Sequence, residues 1–218
     1  VRAIIGPERL FCVDATQMIL HSPLSMRDIQ CDALVFSGHK MMADTGIWVL
    51  ALCKVFQKAW QAPIGWWGAI NEVSQEGYEQ AWIPERWEPG TQHITGAVTI
   101  GAAIACIEKI TPEVRAHYRQ CIDFIDRSFA SLQWKWLQIF HSPRADSIGV
   151  WSFIIPDRHP NDIVDIFAEK GICLRSGHHC CEPLHDFLGV AGTVRISIGF
   201  DTTQDEIEQF FEILRSIL

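Results

Sequence analysis

The sequence lacks several features that would assign it to a membrane, nucleic-acid-binding or repeat class of protein. No apolar run approaches the ~20 residues of a membrane-spanning helix, so we expect no membrane span, and we expect no signal peptide at its start. The net charge is −8 and no basic tract is present, which argues against a general binder of nucleic acids or anionic membranes. The sequence contains no internal repeat and no low-complexity segment. Its apolar fraction of 48% and charged fraction of 20% are typical of a soluble globular protein.

The eight cysteines lack the spacing of a disulfide framework. Two of them form the adjacent pair Cys180-Cys181, which follows His178 and His179 and therefore has the ligand types of a zinc site. Four consecutive residues cannot all reach one tetrahedral ion without severe strain, so we expect no metal. The other six lie in apolar segments, and we predict that they are small buried residues of a protein from the reducing cytoplasm: Cys12, Cys31, Cys53, Cys106, Cys121 and Cys173.

Short apolar runs alternate with turns in the first part of the chain. The runs at 10–13, 33–36 and 47–52 have the length of strands, and their continuous apolar character predicts burial on both faces, as in an α/β sheet. In such sheets the polar residues just past the strand ends face the ligand crevice. Asp14 and the Ser37–Lys40 turn occupy these positions. Further along, 73–92 predicts an extended excursion and 93–110 a connecting helix.

Local signals also mark the elements of the C-terminal half. Thr111 and Pro112 have the pattern of a helix N-cap followed by its first residue. Strands are predicted near 148–155, 172–175 and 193–198. A capping box from Thr203 to Glu206 begins the closing helix. The apolar stripes predicted to face the core are Val114, Tyr118, Cys121, Ile122, Ile125 and Phe129 on the first helix, and Ile207, Phe210, Phe211, Leu214 and Ile217 on the last.

Lys40 is poorly explained as a packing residue, because it follows a strand inside a Ser-Gly-His turn. A lysine in this position can form a Schiff base with an aldehyde cofactor such as pyridoxal phosphate (PLP). The turn offers a hydroxyl and an imidazole to an anion. Asp14 would keep a pyridine nitrogen protonated, and Gln17 could bond the phenolic oxygen of the cofactor. The alternative is a helix N-cap for Asp14 and a surface amide for Gln17.

Three motifs in this order resemble the cysteine desulfurases of the class V aminotransferase superfamily. They are Asp14-Ala15-Thr16-Gln17, the decapeptide from Cys31 to Lys40, and the hexapeptide from Arg175 to Cys180. The sequence is most similar to the Suf-type group, which includes selenocysteine lyases, from about residue 8 onward. The resemblance implies an α/β fold of PLP-dependent transferase fold type I. Residues 1–100 would be the C-terminal part of its PLP-binding large domain, and residues 101–218 its small C-terminal α+β domain.

The resemblance also implies roles for the residues of the first part. Lys40 would bind PLP and move the α-proton of the substrate. Asp14 and Gln17 would pair with the pyridinium nitrogen and the phenolic oxygen, while Ser37 and His39 would hold the phosphate. A further segment, Glu88-Pro89-Gly90-Thr91, resembles the one that sends a threonine, here Thr91, to the phosphate of the partner subunit in a homodimer.

In the second part, Arg195 would clamp the substrate carboxylate and Arg175 would line the same pocket, the alternative for either being a surface ion pair. Cys180 would be the nucleophile that takes sulfur from L-cysteine or L-selenocysteine substrates and becomes a persulfide, with alanine as the other product. Such a cysteine needs partial exposure and a polar or cationic neighbourhood, which His178, His179 and Arg175 would supply. Relatives have a small apolar residue where this chain has Cys181. We hypothesise that Cys181 accepts the persulfide or oxidises with Cys180.

The family resemblance implies a cytoplasmic protein that passes sulfur to an acceptor protein for iron–sulfur clusters. The sequence departs from the family after Lys40, where Gly-Pro-Thr-Gly-x-Gly is replaced by residues 43–48 and two glycines and the proline are lost. It also resembles only the C-terminal portion of a desulfurase, without most of the large-domain sheet. Two alternatives therefore stand: a desulfurase chain active with the missing half, or a catalytically inactive remnant or interaction module of the same fold.

Overall fold

The computed structural model describes residues 1–62, 64–132, 136–141 and 147–218. The chain divides into two compact units, Val1–Lys109 and Ile110–Leu218. The predicted division between residues 100 and 101 falls inside a helix of the first unit, Ile94–Ile107. This helix confirms the connecting helix predicted at 93–110. The predicted domain limits, 1–100 and 101–218, stay a prediction. None of the described helices is by itself long and apolar enough to cross a membrane, although Ile94–Ile107 and Pro112–Ser131 pass that test of length and composition when taken together.

The first unit contains short helices, one longer helix and two small sheets. Its helices are α1 (Arg2–Ile5), α2 (Met26–Ile29), α3 (Lys54–Ala59) and α4 (Ile94–Ile107), and its strands are β1 (Cys12–Asp14), β2 (Ala33–Ser37), β3 (Trp48–Leu52), β4 (Ile70–Val73) and β5 (Tyr78–Gln80). β4 and β5 form an antiparallel hairpin, and a 3₁₀ turn at Glu85–Trp87 follows. The predicted extended excursion at 73–92 is therefore confirmed.

The three-stranded sheet of the first unit places the polar strand ends together. Its order is β1-β2-β3, with β1 parallel and β3 antiparallel to β2. The strands lie within two residues of the predicted runs. Because β1 and β2 run in the same direction, Asp14 and Ser37 end their strands at the same edge of the sheet.

The described residues cover the two faces of this sheet unequally. Leu34 and Phe36 belong to a core cluster that includes Ala103 of α4. On the other face Trp48 is 67% exposed and Leu50 is 46% exposed. The prediction that these runs are buried on both faces is therefore wrong for β3, because residues that alternate along a strand point to opposite faces.

The second unit packs helices against a four-stranded sheet. Its helices are α5 (Pro112–Ser131), α6 (Pro160–Glu169), α7 (Glu182–Leu188) and α8 (Gln204–Ile217), and its strands are β6 (Gln138–Phe140), β7 (Val150–Ile154), β8 (Arg175–Gly177) and β9 (Thr193–Ser197). The sheet order is β6-β7-β9-β8, and every pair is antiparallel. Phe210 of α8 lies at the centre of the core, in contact with four other rings.

The helix starts of this unit follow the predicted local signals. Thr111 accepts a hydrogen bond from Val114 N with Pro112 in the first turn, and Thr203 and Glu206 form the full capping box. The predicted stripes are buried with two exceptions. Val114, in the first turn of α5, is 36% exposed, and Ile217, at the end of α8, is only partly buried.

Two further predictions are wrong, one for this unit and one for the cysteines of both units. The strand expected at 172–175 lies instead at Arg175–Gly177. Ile172 and Leu174 are apolar because they pack against the core from a loop. The six single cysteines were also expected to be buried, but only Cys31 and Cys121 are, while the exposed ones are Cys12, Cys106 and Cys173. An apolar sequence neighbourhood does not fix the face to which a thiol points.

Candidate functional site

The predicted PLP lysine lies in a tight turn at the end of β2. The chain passes from Ser37 into a 3₁₀ turn, Gly38–Met41, that carries His39 and Lys40. Gly38 N donates a hydrogen bond to Ile47 O at 2.9 Å. A Cβ at Gly38 would lie 2.8 Å from the Ile47 side chain, so a larger residue here would force Ile47 to move. The amine of Lys40 is exposed and forms no ion pair with any of the described residues.

Ser37 and His39 lie close enough to act together. The Ser37 hydroxyl is 2.6 Å from Nδ1 of His39, and Ser37 is buried while His39 is exposed. The turn therefore presents an imidazole whose orientation is fixed by a hydroxyl beneath it. These are groups that bind an anion such as a phosphate.

Asp14 ends β1 as an exposed carboxylate. Its Oδ1 accepts a hydrogen bond from Thr16 N at 2.9 Å. Hydrogen bonds from Thr16, first through its side chain and then through its backbone, lower the pKa of Asp14, which is therefore ionised at neutral pH. A turn and not a helix follows, so Asp14 caps no helix. Gln17 lies exposed on this turn, and Thr91 lies exposed after the hairpin segment.

The loop that lost glycines after Lys40 keeps a defined conformation. Across residues 43–48, all of which are described, the positive φ falls on Gly46, at 79°. Ala43 and Trp48, which replace family glycines, have no positive φ and need no glycine. His93 Nε2 lies 3.2 Å from Thr45 O, and Thr99 Oγ1 accepts a hydrogen bond from the loop at 3.1 Å. These two anchors of the loop were not predicted, because they depend on contacts between distant parts of the sequence.

The second unit brings its two predicted arginines side by side. Arg175 of β8 is the direct cross-strand partner of Arg195 of β9. Like charges directly opposite each other are destabilising. Neither arginine forms an ion pair within the described ranges, so the alternative of a surface ion pair finds no support there.

Arg195 has an unused donor in a buried position. Its Nε is buried without a hydrogen-bond partner among the described residues. Burial first, and then Arg175, lower the pKa of Arg195, while the neighbouring Cys180 raises it. An anion between the two guanidiniums would neutralise the pair and accept from this donor.

The nucleophile candidate lies beside these arginines in a strained turn. His179 and Cys180 both have positive φ, at 52° and 63°. This left-handed conformation costs about 1–2 kcal/mol per residue that is not glycine. Cys181 N donates to His178 O at 2.8 Å, which closes the turn before α7. Both thiols are exposed, as a reactive cysteine requires.

A buried hydrogen-bond network holds this turn from below. His185 Nδ1 lies 2.9 Å from Cys181 O, and its Nε2 lies 3.2 Å from the Thr193 hydroxyl. Because a carbonyl only accepts, Nδ1 of His185 carries a proton. His179 Nε2 lies 3.1 Å from the same hydroxyl. His185 and Thr193 were missed, since no spacing signal connects them with Cys181.

The charge around Cys180 comes from arginine rather than from His179. Burial, and next the nearby Arg195, lower the pKa of His179 below its ordinary value, so its ring is neutral at pH 7. The contribution predicted for His179 is thus polar and not cationic. Among the described residues, no three His, Cys, Asp or Glu side chains converge on a possible metal position.

Comparisons with known sequences connect the chain with one enzyme family. The model of the family described as Aminotransferase class-V matches residues 5–210. A protein named probable cysteine desulfurase from Pyrococcus abyssi is 34% identical over 213 residues, which are 96% of this chain and 52% of that protein. A protein of the same name from Staphylococcus epidermidis is 31% identical over 207 residues, with 93% and 49% covered. The chain thus spans about half the length of the curated relatives it matches.

Solved structures show the same likeness in three dimensions. The apo structure of a cysteine desulfurase from Thermococcus onnurineus has a TM-score of 0.86 and 33% identity, over 95% of this chain and 52% of that one. The cysteine desulfurase CsdA from Escherichia coli has a TM-score of 0.85 and 27% identity, over 95% and 51%. The predicted α/β fold of the PLP-dependent transferases, with only part of the large domain, is confirmed.

Proposed function

Since the chain belongs to the aminotransferase class-V family, we propose that it is the portion of a PLP-dependent cysteine desulfurase that carries the lysine, the substrate-binding arginines and the nucleophilic cysteine. The observation that carries this proposal is in the second unit. An unneutralised arginine pair lies next to an exposed cysteine that is held in a left-handed turn. A carboxylate and a transferable sulfur are the two groups that such a site would handle together.

In the first unit the residues fit the cofactor by their chemistry. The Ser37–His39 pair would hold its phosphate, and the ionised Asp14 its pyridinium nitrogen, with Gln17 at the phenolic oxygen. Lys40 would hold the cofactor covalently, and its Nζ would carry the α-proton of the substrate. When bound, PLP supplies an electron sink that weakens bonds at the α-carbon of an amino acid.

In the second unit Arg195, assisted by Arg175, would bind and orient the substrate carboxylate. The buried Nε and the opposed guanidiniums favour a planar anion that can accept several hydrogen bonds. The Cys180 thiolate would attack the substrate sulfur, leaving alanine and a persulfide on Cys180.

The finer assignments rest on the family resemblance. We propose a Suf-type, cytoplasmic enzyme that acts on L-cysteine or L-selenocysteine and supplies sulfur for iron–sulfur clusters through an acceptor protein. Thr91, exposed after Gly90, would reach the cofactor phosphate of a second copy in a homodimer.

Cofactor binding can be tested without turnover. The chain is incubated with PLP, alone and with a polypeptide that supplies the rest of its relatives' length, and is then reduced with borohydride. We expect a phosphopyridoxyl label on Lys40 by peptide mass spectrometry, lost in Lys40→Ala and kept in the matched control Lys54→Ala. Absence of this label in the completed protein would favour the inactive remnant.

Activity is tested on the same completed protein by alanine formation from cysteine. We expect Cys180→Ser to lose alanine formation while it keeps the Lys40 label. Arg195→Lys should raise KM, because a lysine cannot form the bidentate contact. A labelled protein in which Cys180→Ser still forms alanine would contradict the role of the nucleophile.

A further inference from the structure

The second thiol of the Cys180-Cys181 pair has no role in the function proposed above. Both thiols are exposed, and they are adjacent in a turn fixed at both ends. We propose that Cys181 discharges a persulfide on Cys180 as inorganic sulfide, which gives the protein a sulfide-releasing activity that needs no acceptor protein. This inference rests on the proposed function only for the natural origin of the persulfide.

The turn is built to hold the two cysteines in one arrangement. The Cys181 carbonyl is bonded to the buried His185, and its N–H to His178 O. The left-handed φ of 63° at Cys180 sets the direction of its side chain relative to the preceding peptide. Neighbouring Cα atoms lie about 3.8 Å apart, which is less than the roughly 4.4–6.8 Å of ordinary disulfides. A bond between these sulfurs would therefore be strained and easily reduced.

The reaction balances without an external oxidant. The Cys181 thiolate attacks Sγ of the Cys180 persulfide, the Sγ–Sγ bond forms, and the bond to the outer sulfur breaks. The outer sulfur leaves with the bonding electrons and takes up the proton that Cys181 gave up on ionisation. The outer sulfur is thereby reduced to sulfide, while the two cysteines are oxidised to a disulfide. A low-molecular-weight dithiol then reduces this disulfide and is itself oxidised.

Attack on the inner sulfur is favoured over transfer of the outer sulfur to Cys181. Thiol–disulfide exchange needs the attacking, central and leaving sulfurs close to one line. When Cys181 attacks the inner sulfur, the leaving outer sulfur lies outside the ring that forms. When it attacks the outer sulfur, the leaving Sγ of Cys180 would have to lie inside that small ring, which prevents a linear arrangement. Sulfide is also a better leaving group than a cysteine thiolate, because hydrogen sulfide is the stronger acid.

The test loads sulfur chemically, so that it does not depend on desulfurase activity. The full chain is treated with inorganic polysulfide, desalted without reductant, and followed for released sulfide with a bimane reagent. Samples are alkylated and digested with trypsin. The peptide Ser176–Arg195 contains Cys180 and Cys181 and no other cysteine, so its mass reports this pair alone.

We expect the wild-type peptide to lose its extra sulfur as sulfide and to become a disulfide two hydrogens lighter than the dithiol. Cys181→Ser should keep the persulfide on Cys180 and release sulfide at least roughly tenfold more slowly, because the intramolecular attack is lost. Serine suits this position, which is the N-cap of α7, and Cys181→Ala gives a second variant. Cys173→Ser, which removes another exposed thiol, should behave as wild type.

Three results would overturn the inference. The first is equal sulfide release from wild type and Cys181→Ser, and the second is a stable persulfide found on Cys181. The third is failure of Cys180 to accept sulfur at all, since the reaction needs this thiol accessible. Alanine formation separates this inference from the proposed function. If the protein forms alanine from cysteine but no disulfide appears, only this inference is refuted. If the disulfide appears in a protein that forms no alanine, only the proposed desulfurase function is refuted.

Discussion

The left-handed turn at Cys180 predicts that glycine at this position stabilises the fold. A residue with a Cβ gives up about 1–2 kcal/mol in this conformation, and glycine avoids that penalty at φ 63°. Glycine also has more conformational entropy than alanine in the unfolded chain, and this lowers the free energy of unfolding by about 0.4–1 kcal/mol relative to alanine. The difference leaves Cys180→Gly more stable than Cys180→Ala by about 0.5–1 kcal/mol. The comparison with alanine matters because both variants lack the thiol and differ only in the Cβ.

The assay is equilibrium urea unfolding of the full chain, followed by circular dichroism. Position 173 provides the matched control, because Cys173 is exposed but has no positive φ. There, Cys173→Gly should be less stable than Cys173→Ala by about 0.4–1 kcal/mol. If glycine and alanine rank in the same order at both positions, the turn at Cys180 stores no strain and the reasoning fails.

Further predictions concern the core, a helix cap and acid stability. Phe210→Ala should lower the free energy of unfolding by about 3–5 kcal/mol in urea titrations, because this buried ring contacts four others. Thr203→Ala should cost about 1 kcal/mol by the same method, since the capping box to Glu206 is lost. Hydrogen bonds, first from Arg2 and then from the backbone of Phe11, lower the pKa of Asp32, so the folded state binds its proton less readily than the unfolded chain. This stabilisation is present above the unfolded pKa of about 3.9 and is lost as the pH falls through the folded value. The free energy of unfolding, measured at a series of acidic pH values, should therefore change less with pH in Arg2→Ala than in the wild type.

The sequence predicted well those features that depend on neighbouring residues. Thr111 with Pro112 and Thr203 with Glu206 are local caps, and both helices begin there. Lys40 follows its strand as the apolar run indicated. The role proposed for Lys40 came from the family resemblance, which contains information beyond this chain.

Features that depend on strand pairing and on burial were not predictable in this way. The opposition of Arg175 and Arg195 results from the register of a three-residue strand, and the sequence placed that strand at 172–175. A loop buried against the core and a strand have the same apolar composition, so Ile172 and Leu174 gave a false signal. His185 supports Cys181 through a network that only the folded chain brings together.

The loop after Lys40 bears on the choice between an enzyme and a remnant. A chain released from selection would lose its glycines without regard to backbone angle. Here the glycine that is kept, Gly46, occupies the left-handed position, and the replaced ones occupy conformations open to any residue. The residues at 43 and 48 therefore fit the backbone angles of this loop, and the absence of glycine there does not disturb the turn that carries Lys40.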